Sequence, residues 1–183
     1  KVQTLRKTSA ERIEDVAERC ERLLRDAEHS PPDDILGFVK QLAGLRTIRG
    51  EVIGLREMRY MDLPRVESLE ERLIEANALV SKKTVSFLLK PEALEPYRAK
   101  VDEQRKILGA LVKVTEADEL AELITEAGLE LEMLIDVVSN LKIEDSTQTT
   151  AIIESISTIY STLNGVKAEL KNKRKALSKS EGV

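Results

Sequence analysis

One histidine, one cysteine, a row of glutamates, a row of arginines and a lysine-rich tail are the residues of this chain that could do chemistry. His29 could act as an acid or base only beside a nucleophile or carboxylate that needs it. It stands instead where a helix should end, so a capping or solvated residue is expected. Cys20 falls on an apolar helical row, which favours a buried, inert thiol over a reactive one. With a single His and a single Cys, these side chains cannot assemble a zinc or di-iron site. Glu119, Glu122, Glu126 and Glu130 could pair for acid-base or metal work, but they lie off the apolar row, where a solvated face is the simpler account. No G-x-x-x-x-G-K loop and no nucleophile elbow occurs, so nucleotide hydrolysis is not expected of these residues, and no cofactor or catalytic residue is assigned.

The cationic rows have two readings each. Arg46, Arg49, Arg56 and Arg59 fall within an arc of roughly 140° on one helix and overlap its apolar side. Arginines placed there need carboxylate or phosphate partners: salt bridges to a glutamate-rich neighbour, or contact with nucleic acid or a partner domain. Lys167, Lys171, Lys173, Arg174, Lys175 and Lys179 make a basic tail that could touch phosphates, or simply suit a helix C-terminus.

Long helices must carry these rows. Ala117, Leu120, Ile124, Ala127, Leu131, Leu134, Val138 and Leu141 keep an unbroken three-four spacing, as do Ile152, Ile156, Ile159, Leu163, Val166 and Leu170, with Leu177 beyond. Because a helix turns about 100° per residue, such spacing makes one apolar stripe that must lie along a partner helix. Charged residues are 34% of the chain while the net charge is only −4, so both signs are interspersed, as on long solvated helices. Aromatics are 3%, so the core must be Leu, Ile, Val and Ala. The lone cysteine excludes an internal disulfide and suits a reducing, cytoplasmic compartment. No apolar run reaches the roughly 18–20 residues of a membrane span.

Six helical segments follow. The first covers 2–28, with Ile13, Val16, Cys20, Leu23, Leu24 and Ala27 on one face. Ser30 as N-cap, Pro31 at the first position and Asp33 in the first turn start a second, 33–60. It holds Gly37, Gly44, Gly50 and Gly54, and the last two would either admit another backbone closely or weaken the helix. A third segment, 63–89, carries Val66, Leu69, Leu73, Ala76, Val80 and Phe87 and stops at Lys90-Pro91. After a short turn of helix or a corner at 91–96, a fourth runs to about 114 with Leu94, Val101, Leu108 and Leu111 inward. Thr115, with Asp118 in the capping-box position, starts a fifth to 142. Asp145 with Gln148 starts a sixth, 146–178, read as continuous through Asn164-Gly165. Its many hydroxyls, from Ser146 to Thr162, suit a close helix contact or phosphorylation. No segment reads as a strand.

The expected fold is all-α: an elongated antiparallel bundle, or coiled-coil hairpins, of about six helices. Residues 1–183 form one module, with sub-bundles 1–90 and 91–183 as the alternative, and the polar, mid-pattern ends read as a piece of a longer protein.

Three stretches carry a family resemblance. They are Arg49-Gly50-Glu51-Val52-Ile53 leading into Leu55-Arg56-Glu57-Met58-Arg59-Tyr60, then Val85-Ser86-Phe87-Leu88-Leu89-Lys90-Pro91-Glu92-Ala93-Leu94, and Asn140-Leu141-Lys142-Ile143-Glu144-Asp145 running into Gln148-Thr149-Thr150 and the helix ending Lys173-Arg174-Lys175. Together, over roughly residues 40–178, they resemble the helical, coiled-coil-rich region of large bacterial DNA repair ATPases. The resemblance implies a non-catalytic arm whose ATPase domain lies elsewhere in the polypeptide. It carries over no catalytic residue. Its partners would be a protein, other domains of the same polypeptide or a second copy. Nucleic acid, met by the arginine row or by Lys171, Lys173, Arg174 and Lys175, is the alternative, and no membrane is expected.

Overall fold

The computed structural model describes residues 1–182, and among them there are six α-helices and no strand. They are α1 (Val2–His29), α2 (Ile35–Leu55), α3 (Leu63–Leu88), α4 (Glu95–Gly109), α5 (Val114–Ser139) and α6 (Ser146–Ser180). Residues 1–87 with 142–144 form one compact unit, and 88–141 with the residues from 145 onward form another.

Each unit is a three-helix bundle whose direction of travel alternates. In the first, Arg19 of α1 meets Glu51 of α2, and Gln41 of α2 bonds the carbonyl of Asp26, so these helices are antiparallel. Arg56, at the C-terminal end of α2, meets Glu70 of α3, and the Phe38 and Phe87 rings stand 5.2 Å apart, so α3 turns back again. In the second, Tyr97 reaches Glu130 and Gln104 reaches the carbonyl of Leu123, which sets α4 against α5. Asp118–Arg174 and Glu132–Tyr160 set α5 against α6.

The apolar rows face inward as their spacing requires. On α5, Ala117, Leu120, Ile124, Ala127, Leu131, Leu134 and Val138 are all buried, and on α6 so are Ile152, Ile156, Ile159, Leu163, Val166 and Leu170. Leu141 and Leu177, at the ends of the rows, are half-buried. The α3 row is buried from Val66 to Val80, and Phe87 is half-buried.

The helix ends depart from the sequence reading in five places. Ser30 does not cap α2. Pro31 precedes a second proline, which bars it from helical geometry, and the extended residue Asp34 caps instead, its carboxylate accepting the Gly37 N–H at 2.9 Å. The same helix stops at Leu55 and not at 60. Arg56, Glu57 and Met58 tighten into i→i+3 bonds, and Tyr60 reverses the chain at φ 61, with the Arg6 guanidinium 5.0 Å over its ring. The fourth helix ends at Gly109, well before 114, because Lys113 is extended and caps α5. Thr115 is therefore not the cap. The longer carboxylate of Glu116 reaches back to the N–H groups of Val112 and Lys113, and Asp118 turns to Arg174 instead. That helix closes at Ser139 and not at 142. Asp145 does cap α6, accepting from the Thr147 N–H, and α6 runs unbroken through Gly165.

The glycines of α2 separate into two kinds. At Gly50 and Gly54 a Cβ would meet nothing within 4 Å, so neither admits a neighbouring backbone. Gly50→Ala, and Gly165→Ala in the same open situation on α6, are each expected to raise the unfolding free energy by about 0.5–1 kcal/mol in chemical denaturation, since alanine loses less backbone entropy.

Candidate functional site

The chemistry-bearing side chains fall on three charged surfaces, one in the first unit and two in the second. The first is a lattice of inter-helix ion pairs. Arg19 grips Glu51 through two bonds of 2.8 and 2.9 Å, Arg65 of α3 meets Glu14 of α1, and Arg72 meets Glu21. Glu70 of α3 takes both Arg56 and, at 3.7 Å, the half-buried Arg49 of α2. The arginine row is thus divided. Arg49 and Arg56 are engaged with Glu70, while Arg46 is exposed and Arg59 lends only its backbone carbonyl, to the buried Ser9 hydroxyl. A groove of about 620 Å³ between α1 and α3 is lined by Glu14, Glu21, Arg65 and Arg72, so these ion pairs form its walls.

These pairs fix the acid response of the first unit. Hydrogen bonds from Arg65, Arg72, Arg19 and Arg56 hold Glu14, Glu21, Glu51 and Glu70, respectively, below the ordinary carboxylate range. A folded-state pKa lowered in this way adds stability that is complete above the unfolded value, near pH 4.5, and is lost as pH falls through the lowered one. Thermal unfolding midpoints should therefore be level from about pH 8 to about pH 5 and fall below about pH 4. Glu51→Gln should flatten that acid limb while costing at most about 1 kcal/mol at neutral pH, because the pair is only partly shielded from water.

The second surface is the basic face of α6. Lys171 and Lys175 are exposed, Lys173 is half-buried, and Arg174 is tied to Asp118 of α5 at 2.7 Å. Lys167 and Lys179 are also exposed. The structure brings Arg174 together with a carboxylate and leaves the lysines facing water.

The third surface was not anticipated by the sequence reading. A groove of about 360 Å³ lies between α4 and α5, with Ile107, Leu123 and Ala127 among its apolar lining and Glu103, Glu126 and Glu130 among its charged lining. Gln104 lines it too. The residue is 3% exposed, Nε2 donates to the Leu123 carbonyl at 3.4 Å, and the buried Oε1 has no hydrogen-bond partner. A signal existed: Gln104 occupies a helical position within the row Leu94, Val101, Leu108, Leu111, a polar residue where spacing demands an apolar one. Glu119, Glu122 and Glu126 are exposed, and Glu130 accepts from the Tyr97 hydroxyl at 3.0 Å and stands 3.8 Å from Lys100.

The lone sulfur and imidazole are set apart from all three. Cys20 is wholly buried, and burial pushes its thiol up to about 11, which suppresses the nucleophilic thiolate. His29 closes α1, exposed, with Nε2 3.4 Å from Glu28. Among the described residues no three His, Cys, Asp or Glu side chains are placed to hold a metal ion, and no helix is long and apolar enough to cross a membrane.

Residues 92–176, which run from the corner before α4 nearly to the end of α6, match the family described as Domain of unknown function (DUF7902). No curated protein and no solved structure matches the chain.

Proposed function

We propose that this chain is a non-catalytic helical arm, a structural or docking module of a larger bacterial DNA repair ATPase-like protein that works in the cytoplasm through protein contacts. One observation carries the reading: the side chains best suited to chemistry are occupied by the architecture. Cys20 is core, Arg49 and Arg56 serve Glu70, Arg174 serves Asp118, and the long apolar rows are spent on neighbouring helices. The type of parent protein rests on the resemblance of residues 40–178 alone. It is tested by the gene, which should encode a Walker-type phosphate loop in the same polypeptide. A complete reading frame without one would remove the ATPase from this proposal.

The exposed lysines of α6 favour a second reading, contact with nucleic acid. Fluorescence anisotropy of labelled duplex DNA against salt separates the two. The arm reading expects no binding at low salt, in keeping with a net charge of −4. If α6 laid four lysines on phosphates, affinity would fall with a log-log salt slope of about −3 to −4, and that result would overturn the leading reading.

A further inference from the structure

Two rows of opposite charge repeat at the same pitch in the second unit, and neither is used up inside the chain. Lys167, Lys171, Lys175 and Lys179 recur every fourth residue along α6, stacking their side chains about 6 Å apart. All four are exposed, and their ammonium groups have no ion pair among the described residues. Glu122 and Glu126 recur at the same interval on α5, likewise exposed and unpaired, and Glu103 of α4 stands beside Glu126 in the lining of the α4–α5 groove.

One residue of that lining also has an acceptor with nothing to accept. Gln104 Oε1 is buried and unbonded, which is costly unless a donor arrives. Lys100 also lines the groove, but it is taken up by Glu130 at 3.8 Å. The unpaired carboxylates Glu103 and Glu126, apolar Leu123 and Ile107 and an orphaned amide oxygen together ask for a ligand with a hydrocarbon stem and a cationic N–H tip. A lysine side chain has that form, and this chain carries four of them, each one turn further along α6 and about 40° further round it.

We propose that the α4–α5 groove receives the lysine row of α6 from a second copy of this chain. Groove and row are different surfaces of one unit, so a single contact leaves a free groove on one copy and a free row on the other, to which further copies can add head to tail. Lysine stems cover Leu123 and Ile107, the ammonium groups meet Glu103, Glu122 and Glu126, and one of them donates to Gln104 Oε1 once that side chain turns toward the groove. This self-association does not depend on the ATPase-arm reading.

Sedimentation velocity of the whole chain over a range of concentrations tests it. At about 20 mM salt the mean mass should rise with concentration, and at about 500 mM it should return to that of the monomer. Lys171→Glu/Lys175→Glu and Glu122→Lys/Glu126→Lys should each weaken association by at least about tenfold, and an equimolar mixture of the two variants should restore it. Gln104→Leu, which leaves both rows intact, should weaken it by about tenfold. Circular dichroism checks that each variant keeps its helices. Should a charge reversal disturb folding, the neutral pair Lys171→Gln/Lys175→Gln takes its place. A wild-type chain that stays monomeric at low salt, association indifferent to both reversals, or a mixture that fails to recover it would overturn the proposal.

Discussion

Truncating Leu163 to alanine is expected to cost the second unit about 3–5 kcal/mol, a larger loss than breaking any one of the surface ion pairs would cause. Leu163 is 2% exposed and sits mid-row on α6, flanked by Ile159 and Val166, so rigid rods on either side limit how far the void can collapse. Its Cδ2 lies 3.8 Å from where a Cβ on Gly128 of α5 would stand, an ordinary packing distance. The hole left by Leu163→Ala therefore opens beside α5, and Gly128→Ala adds only one methyl toward it. Urea unfolding followed by circular dichroism measures the loss, and a cost below about 1 kcal/mol would mean that α6 is not packed along α5 in solution.

Gly37→Ala should destabilise the first unit by about 1–3 kcal/mol, opposite in sign to Gly50→Ala on the same helix. A Cβ at Gly37 would stand 2.5 Å from the Pro32 Cβ and 3.3 Å from Asp34 Oδ1. The proline ring has little freedom to retreat, and Asp34 is the cap whose carboxylate accepts the Gly37 N–H, so the added methyl strains the first turn of α2 from two sides. Paired denaturation curves of Gly37→Ala and Gly50→Ala check the contrast. If both substitutions stabilised, the close passage of Pro32 over α2 would be wrong.

Much of the fold was legible because burial in a bundle is a periodic property. The rows on α3, α5 and α6 needed only the helical repeat to be found, and the residues within them are buried nearly without exception. Helix ends were harder to read because they are decided by competition among neighbouring oxygens. Asp34 outdid Ser30 once two prolines had straightened the chain, and Glu116 outdid Asp118 by one methylene of reach. The charged surfaces were legible in kind but not in pairing. The spacing of Arg46, Arg49, Arg56 and Arg59 marks a row, but only packing across helices decides that Glu70 stands beside the middle two. The α4–α5 groove escaped notice because a gap between helices depends on how they are set apart, and its trace in the sequence is a single glutamine out of pattern.

Three rods per unit, and not two or four, also settle where the polypeptide emerges. A pair of helices would hand the chain back beside its point of entry, whereas an odd count delivers it at the far pole. In the second unit α4 and α6 travel the same way, and α6 with 35 residues measures about 50 Å from end to end. The second bundle therefore carries the backbone from the start of α4 to the opposite pole at the end of α6, with its greasy side chains turned to its own interior.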